Sequence, residues 1–233
     1  MLNVKLNSDN NDTNTSNNLQ PLLEAVNLSH SFDYPLFENI NLNIYTKQKI
    51  AIIGSSGCGK STLLNILSTL LKPIGGEVKF QNNSLYCDSF DDILKIRREY
   101  FGIIFQAHYL FRGFNATENL EISKLLNNTD IDNELLKVLG IEHVMSQSIG
   151  SLSGGQQQRL SIARILTKKP MVIFADEPTG NLDKKTADVV FSVLFDYINT
   201  NNAAMVLVTH EEELAYRCDK VYKLEGKGLI ELK

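Results

Sequence analysis

The run Gly54-Ser55-Ser56-Gly57-Cys58-Gly59-Lys60-Ser61-Thr62 follows Lys49-Ile50-Ala51-Ile52-Ile53 without a gap, and its reading decides the fold. The apolar segment predicts a strand over 49–53. The glycines let the backbone turn inward, so that amide hydrogens face a bound phosphate. After Lys60, the residues Leu63, Leu64, Leu67, Leu70 and Leu71 recur at helical spacing, and Pro73 with Gly75-Gly76 marks the stop. A helix starting there points the positive end of its dipole at the same anion. Lys60 adds a full positive charge for the β- and γ-phosphates of a nucleotide, and Ser61 offers a hydroxyl to Mg²⁺. Strand, glycine loop and helix, in that order, are the context this motif requires.

The 233 residues suffice for one large domain or a domain with a subdomain. The composition, 43% hydrophobic and 21% charged, is that of a folded chain with a full core. A net charge of −4 with a pI near 5.6 argues against a protein that coats nucleic acid. Cys58, Cys87 and Cys218 are scattered and odd in number, which fits a reducing compartment better than a disulfide or zinc framework. Uncharged apolar runs fall short of the ~18 residues a membrane span needs, and the start lacks a basic-then-apolar signal. Any membrane role is therefore expected to come through a partner. Residues 1–20 are rich in Asn and poor in apolar side chains, which predicts a disordered tail.

Further along, strands are expected over 22–28, 40–44, 77–80 and 102–105, and a helix over 93–98. About 45 residues separate Gln106 from Leu152 and carry helical patterns, for example over 134–139. A helical subdomain over about 107–165 is placed there. A helix over 156–168, a strand over 171–175, a helix over 184–199, a strand over 204–208 and a hairpin over 221–232 complete the reading.

Two further stretches carry chemistry. Met171-Val172-Ile173-Phe174-Ala175-Asp176-Glu177 is a buried strand ending in two carboxylates, which emerge at the carboxyl edge of the sheet, where open α/β folds bind ligands. Asp176 is suited to the shell of Mg²⁺ and Glu177 to polarising an attacking water. In Leu152-Ser153-Gly154-Gly155-Gln156, Ser153 and Gln156 have the spacing of a capping box. The helix that begins there has bare glycine amides at its N-terminus, a second anion site.

With Gln157-Gln158-Arg159 after it, that pentapeptide resembles the signature of the ATP-binding-cassette (ABC) ATPases. The resemblance covers the chain from about Leu22 onward. It implies an α/β fold with a RecA-like P-loop NTPase core, an N-terminal antiparallel β subdomain and an inserted α-helical subdomain. It implies ATP and Mg²⁺ as ligands, and a homodimer in which Ser153, Gly154, Gly155 and Gln156 of one copy meet the nucleotide held by the phosphate loop of the other. Gln106 matches the glutamine loop, which implies contacts to Mg²⁺ and water, Asn181-Leu182-Asp183 the dimer-interface loop and His210 the switch histidine. The adenine-stacking aromatic falls at Phe32, with Tyr34 as the alternative and a core role for Phe32 also open. Ala175-Asp176-Glu177-Pro178-Thr179-Gly180, the triple Gln156–Gln158 and Phe105-Gln106 look like the subgroup of lipoprotein-release (LolD-like), macrolide-efflux (MacB-like) and cell-division (FtsE-like) ATPases.

That subgroup implies an integral membrane permease subunit as partner, no direct contact with the transported substrate, and a peripheral place on the cytoplasmic face of the inner membrane. The segment from Gln106 through Tyr109, Phe111 and Phe114 to Asn119 would help form the groove for that partner, unless the aromatics only pack locally. A regulatory ATPase that drives no transport is the alternative. A soluble DNA-repair or translation ATPase fits poorly, because those relatives carry a long coiled coil between the motifs or two cassettes in one chain. The pairs Arg97-Arg98, Lys168-Lys169 and Lys184-Lys185 read as solvated faces, and Cys58 as a small residue tolerated inside the loop, the alternative being a thiol made reactive by the helix N-terminus and Lys60.

Overall fold

The computed structural model describes residues 20–86, 89–180 and 182–233. The expected tail thus lies outside the described residues except for Gln20, as do Cys87 and Asn181. The chain runs through β1 (Leu23–Ser31), β2 (Pro35–Ile44), β3 (Lys49–Ile53), α1 (Lys60–Leu67), β4 (Gly75–Phe80), β5 (Asn83–Ser84), α2 (Phe90–Glu99) and β6 (Phe101–Ile104). It continues through α3 (Ala116–Asn127), α4 (Asn133–Val138), α5 (Gly154–Thr167), β7 (Val172–Asp176), α6 (Lys184–Thr200), β8 (Ala204–Val208), α7 (Glu212–Ala215), β9 (Lys220–Glu225) and β10 (Gly228–Glu231).

Two sheets form. The larger has the order β10-β9-β3-β8-β7-β6 and is parallel except for β10, which returns antiparallel to β9. The smaller, β2-β1-β4-β5, is antiparallel throughout. Strands β3 and β8 are buried at every residue, as parallel strands covered on both faces must be. Alternate side chains go to opposite cores. Ala51, Ile53, Ile173, Ala175, Met205 and Leu207 join the side chains of α3, α4, α5 and α6. Ile50, Ile52, Val172, Phe174, Ala204 and Val206 join α1 and the antiparallel sheet. The helices between β6 and β7 therefore share one continuous core with the sheet.

Caps set several helix starts. Ser89 accepts from the Asp92 amide at 3.3 Å, Asn115 forms a capping box with Glu118, and Asp183 accepts from the Thr186 amide at 3.0 Å.

The structure corrects two expectations. The helix after Lys60 ends at Leu67, not near Leu71. Thr69 adopts φ 65°, and the amides of Leu70 and Leu71 both turn back to the Asn65 carbonyl. A left-handed residue just past a helix satisfies its last carbonyls and stops it, so Pro73 is not the stop. Lys168 is not on a solvated face: its ammonium donates to the carbonyls of Arg97 and Phe101. Burial, with Arg164 nearby, lowers its pKa to about 8.

Gly76 does more than break a helix. It has φ 81°, and a methyl group there would lie 2.4 Å from the backbone oxygens of Val26 and Asn27. At Gly102 a methyl would meet only side-chain atoms, of Ile165 at 2.6 Å and Pro170 at 2.8 Å. We expect Gly76→Ala to cost about 3 kcal/mol or more and Gly102→Ala about 1–3 kcal/mol. Urea unfolding of the two variants checks this. The reverse order would show that the β1–β4 contact yields more readily than the packing of β6 on α5.

Candidate active site

Four neighbouring parallel strands bring their carboxyl ends to one edge. In register, Ile52 of β3 pairs with Val208 of β8, Val208 with Asp176 of β7, and Ala175 of β7 with Ile104 of β6. The residues that leave this edge are the glycine loop after β3, Thr209-His210 after β8, Asp176-Glu177 at the end of β7, and Phe105-Gln106 after β6.

The loop is built around Lys60. Its ammonium donates to the carbonyls of Gly54 and Ser55, both at 2.9 Å, which uses two of three N–H donors and fixes the head of the side chain. Gly54 sits so close to β9 that a methyl there would lie 2.7 Å from the Leu224 carbonyl oxygen. Gly59 caps α1 at φ 104° with no side-chain cap, and the first turn of α1 holds no acid. The helix therefore presents uncompensated amides to the loop. A cavity of about 200 Å³ beside it is lined by Phe32, Tyr34, Leu36, Gly57, Gly59, Lys60, Ser61 and Thr62. Phe32 and Tyr34 are 61% and 60% exposed, so Phe32 is not a core residue, and both rings stand at the cavity. Ser55 and Ser56 are exposed at the tip of the loop. Cys58 is half-buried against the core shared with α1.

Asp176 and Glu177 part as neighbours. Burial raises the pKa of Asp176; a hydrogen bond from Ser61 opposes the rise, as does Lys60, while Glu177 adds to it. Glu177 takes φ 47°, an uncommon left-handed conformation for a non-glycine residue. Its amide donates to the Val208 carbonyl at 2.9 Å. Its carboxylate is gripped from β8's end: Thr209 Oγ1 donates to Oε2 at 3.2 Å, and the His210 amide and Nδ1 reach Oε1 at 2.9 and 2.7 Å. His210 itself is largely exposed, and its hydrogen bond and charge attraction to Glu177 raise its pKa. Gln106 is exposed, with its Nε2 3.7 Å from where a Gly180 Cβ would sit.

The Ser153 helix start, expected as a second anion site, is exposed and separate from that cavity. Ser153 Oγ accepts from the Gln156 amide at 3.3 Å and Gln156 Oε1 accepts from the Ser153 amide at 2.9 Å, so the capping box forms. The Ser153 hydroxyl hydrogen remains free to donate. A methyl on Gly154 would meet nothing within 4 Å. Among the described residues, the cavity at Lys60 is lined by none of Ser153, Gly154, Gly155 and Gln156. Asp183 spends both carboxylate oxygens on Thr186, at 3.0 and 2.6 Å, which lowers its pKa. Its position is that of the cap of α6.

The aromatics after Gln106 pack on one another and remain exposed. Phe105 packs against Tyr109 and Phe111 against Phe114, with the Arg164 guanidinium 5.5 Å from the Phe111 ring centre. Tyr109, Phe111 and Phe114 nevertheless stay 66%, 48% and 44% exposed. Gln157 Nε2 donates to the carbonyls of Ile149 and Leu152 and steadies the turn before Ser153.

The family profile described as ABC transporter matches residues 37–180. The lipoprotein-releasing system ATP-binding protein LolD of Rickettsia bellii is 44% identical over 200 residues, 83% of this chain and 88% of that protein. An uncharacterized ABC transporter ATP-binding protein of Methanocaldococcus jannaschii is 40% identical, over 84% of this chain and 89% of that one. Among solved structures, the dimeric post-hydrolysis state of the ATP-binding cassette MJ0796 bound to ADP and Pi superposes with a TM-score of 0.81. It is 32% identical, and the match covers 89% of this chain and 96% of that chain.

The grip on Glu177 has a consequence in solution. His210, with its pKa raised above the free value, should titrate with a midpoint above ~6.5. Its pairing stabilises the fold at lower pH, and that contribution disappears as pH rises through the raised value. In Glu177→Gln the midpoint should fall back toward ~6.5. Proton NMR titration of the imidazole in both proteins checks this. An unchanged midpoint would show that the Glu177 contact does not persist in solution.

Proposed function

The chain belongs to the ABC transporter family, in its ATP-binding cassette, and from that premise we propose that it is the ATP-hydrolysing subunit of a membrane-coupled transporter of the lipoprotein-release type. One observation carries the reading. The groups suited to bind and cleave a nucleoside triphosphate gather at one sheet edge, while the Ser153 helix start stays open and takes no part in that cavity. A single chain thus offers half of each of two sites. Two copies arranged head to tail around two ATP molecules complete both. The names of the relatives support lipoprotein release as the work that is driven.

Within each composite site, Phe32 or Tyr34 stacks on the base, and Gly54 to Thr62 wrap the phosphates. Ser61 and Asp176, an alcohol and a half-buried carboxylate already hydrogen-bonded to each other, form a hard oxygen pair that suits Mg²⁺. A cation there would offset the burial that raises the Asp176 pKa. Mg²⁺, when bound, neutralises phosphate charge as the terminal phosphoryl group transfers. Glu177, oriented by Thr209 and His210, accepts a proton from the attacking water. The new oxygen–phosphorus bond forms as the bond to the bridging oxygen of ADP breaks. His210 and Lys60 balance the developing charge, and Gln106 positions the water. Ser153, Gly154 and Gly155 of the second copy donate to the terminal phosphate, while Gln156 shapes that helix start and Asp183 the interface loop.

The helical segment over about 107–165 forms the subdomain that carries Ser153 toward the partner copy. The exposed aromatics Tyr109, Phe111 and Phe114 receive an integral membrane permease on the cytoplasmic face of the membrane. No helix among the described residues is long and apolar enough to cross a membrane, so attachment through that subunit is the simplest arrangement. The cassette needs no contact with the transported substrate or with nucleic acid.

Glu177→Gln should keep ATP binding, lose hydrolysis by about 10²-fold or more and accumulate as an ATP-bound dimer. Light scattering after gel filtration with saturating Mg-ATP reads the mass directly. A monomer under those conditions contradicts the two-copy site.

A further inference from the structure

Gln158 lies inside α5, five residues beyond the Ser153 cap, and is 1% exposed. Both ends of its amide are occupied by groups from distant parts of the chain. Nε2 donates to the Pro178 carbonyl at 2.7 Å, and Oε1 meets His108 Nδ1. Gln158 and its two partners belong to the three segments that the proposed hydrolysis must coordinate. His108 is two residues past Gln106, Pro178 is the residue after Glu177, and α5 begins at the Ser153 cap.

The chemistry of the junction is determined by its acceptor. A proline carbonyl can only accept, so the Gln158 amide must turn its NH₂ toward Pro178 and its oxygen toward His108. His108 Nδ1 must then carry a hydrogen and donate it, which fixes the tautomer of that ring. Gln106 Nε2 lies beside the same turn, 3.7 Å from the place of a Gly180 Cβ, and the Gly180 amide donates to the Glu177 carbonyl. The segment 106–108 thus lies beside the turn 177–180 and is tied to it, and to α5, through Gln158.

We propose that Gln158 is a positioning residue. It holds the helix that carries Ser153 in fixed register with the turn after Glu177, and it passes displacement of the segment 106–108 to both. The role rests on the hydrolytic reading of the site given above. Gln158 touches neither nucleotide nor water; it acts through Pro178 on the peptide that follows Glu177.

Three variants of the full chain test it. Gln158→Leu removes both bonds, Gln158→Glu keeps an acceptor for His108 but loses the donor to Pro178, and His108→Ala removes the other arm. We expect Gln158→Leu to lower kcat by about 10- to 100-fold, the scale of a small misplacement at a reacting centre, with KM for ATP changed less than about twofold, because the phosphate loop is untouched. His108→Ala should act in the same direction, and the double variant should be no worse than the poorer single one, as expected for a shared network. Nitrogen-15 NMR of the histidine rings, with His108→Ala for assignment, should show His108 as the Nδ1–H form in the wild type and in Gln158→Glu, but not in Gln158→Leu.

A purely structural Gln158 would lower the melting temperature, leave kcat per folded molecule unchanged and give independent effects that multiply; that result overturns the proposal. So does a wild-type His108 found as the Nε2–H form. Wild-type hydrolysis that is insensitive to Gln158 refutes the positioning role alone. Absence of wild-type hydrolysis refutes the reading of the site and, with it, the role.

Discussion

The chemistry of this protein depends on the in-register parallel pairing of β3, β8, β7 and β6. Parallel strands all finish on the same edge, and each of these four delivers one segment to it. A one-residue slip would turn every side chain of a strand to the opposite face. Burial prohibits that slip, because each strand divides its apolar side chains between two separate cores. Deleting any of these large side chains to alanine would cost about 2–5 kcal/mol, so the register is strongly held. Reactive groups can then sit on short extensions beyond the edge without carrying the burden of folding. Glu177 illustrates the division: its left-handed backbone is tolerated because β7 and β8 on either side of it are fixed.

Much of this is legible in the sequence because the signals are local. The apolar strand 49–53, the glycines and the helical leucines lie within two dozen residues, and their order admits few alternatives. The buried runs 171–175 and 204–208 announce strands covered on both faces, and the capping box at Ser153 is written in two residues. The end of α1 was not legible, since it depends on Thr69 adopting a positive φ, a conformation that threonine does not advertise. The first half of β2, over Pro35–Asn39, was missed because a proline opens it and the exposed polar pair Glu38-Asn39 follows the buried Leu36 and Phe37, which breaks the alternation. Helix α3 was not delimited either. It is set by the Asn115 box, and its apolar stripe is short.

Polar pairs distant in sequence are the hardest to foresee. Lys168 looks like half of a surface pair, yet folding places it on carbonyls of α2 and β6. Gln158 joins residues 50 and 20 positions away, and only the packing of α5 against the edge of the sheet brings them together. In both cases the side chain's own neighbours carry no hint, because the partner is backbone or a residue on another element. Asp183 is the opposite case: its partner Thr186 is three residues on, and the cap of α6 is local. Roles for Gln106, His210 and the Ser153 segment came from resemblance to a family. The structure adds which of them share an edge and which stand apart.

The central claim is that the phosphate loop of one copy and the Ser153 helix start of another form one site. The most direct test uses an ATP analogue with a photoreactive group on its terminal phosphate. Isotopically heavy chains carrying Lys60→Ala, unable to hold the nucleotide themselves, are mixed with light wild-type chains and irradiated. The account predicts label on the heavy peptide containing Ser153–Gln156 in the mixture, and none when heavy chains are irradiated alone. Label confined to the light chains' own Ser153–Gln156 peptide would contradict it.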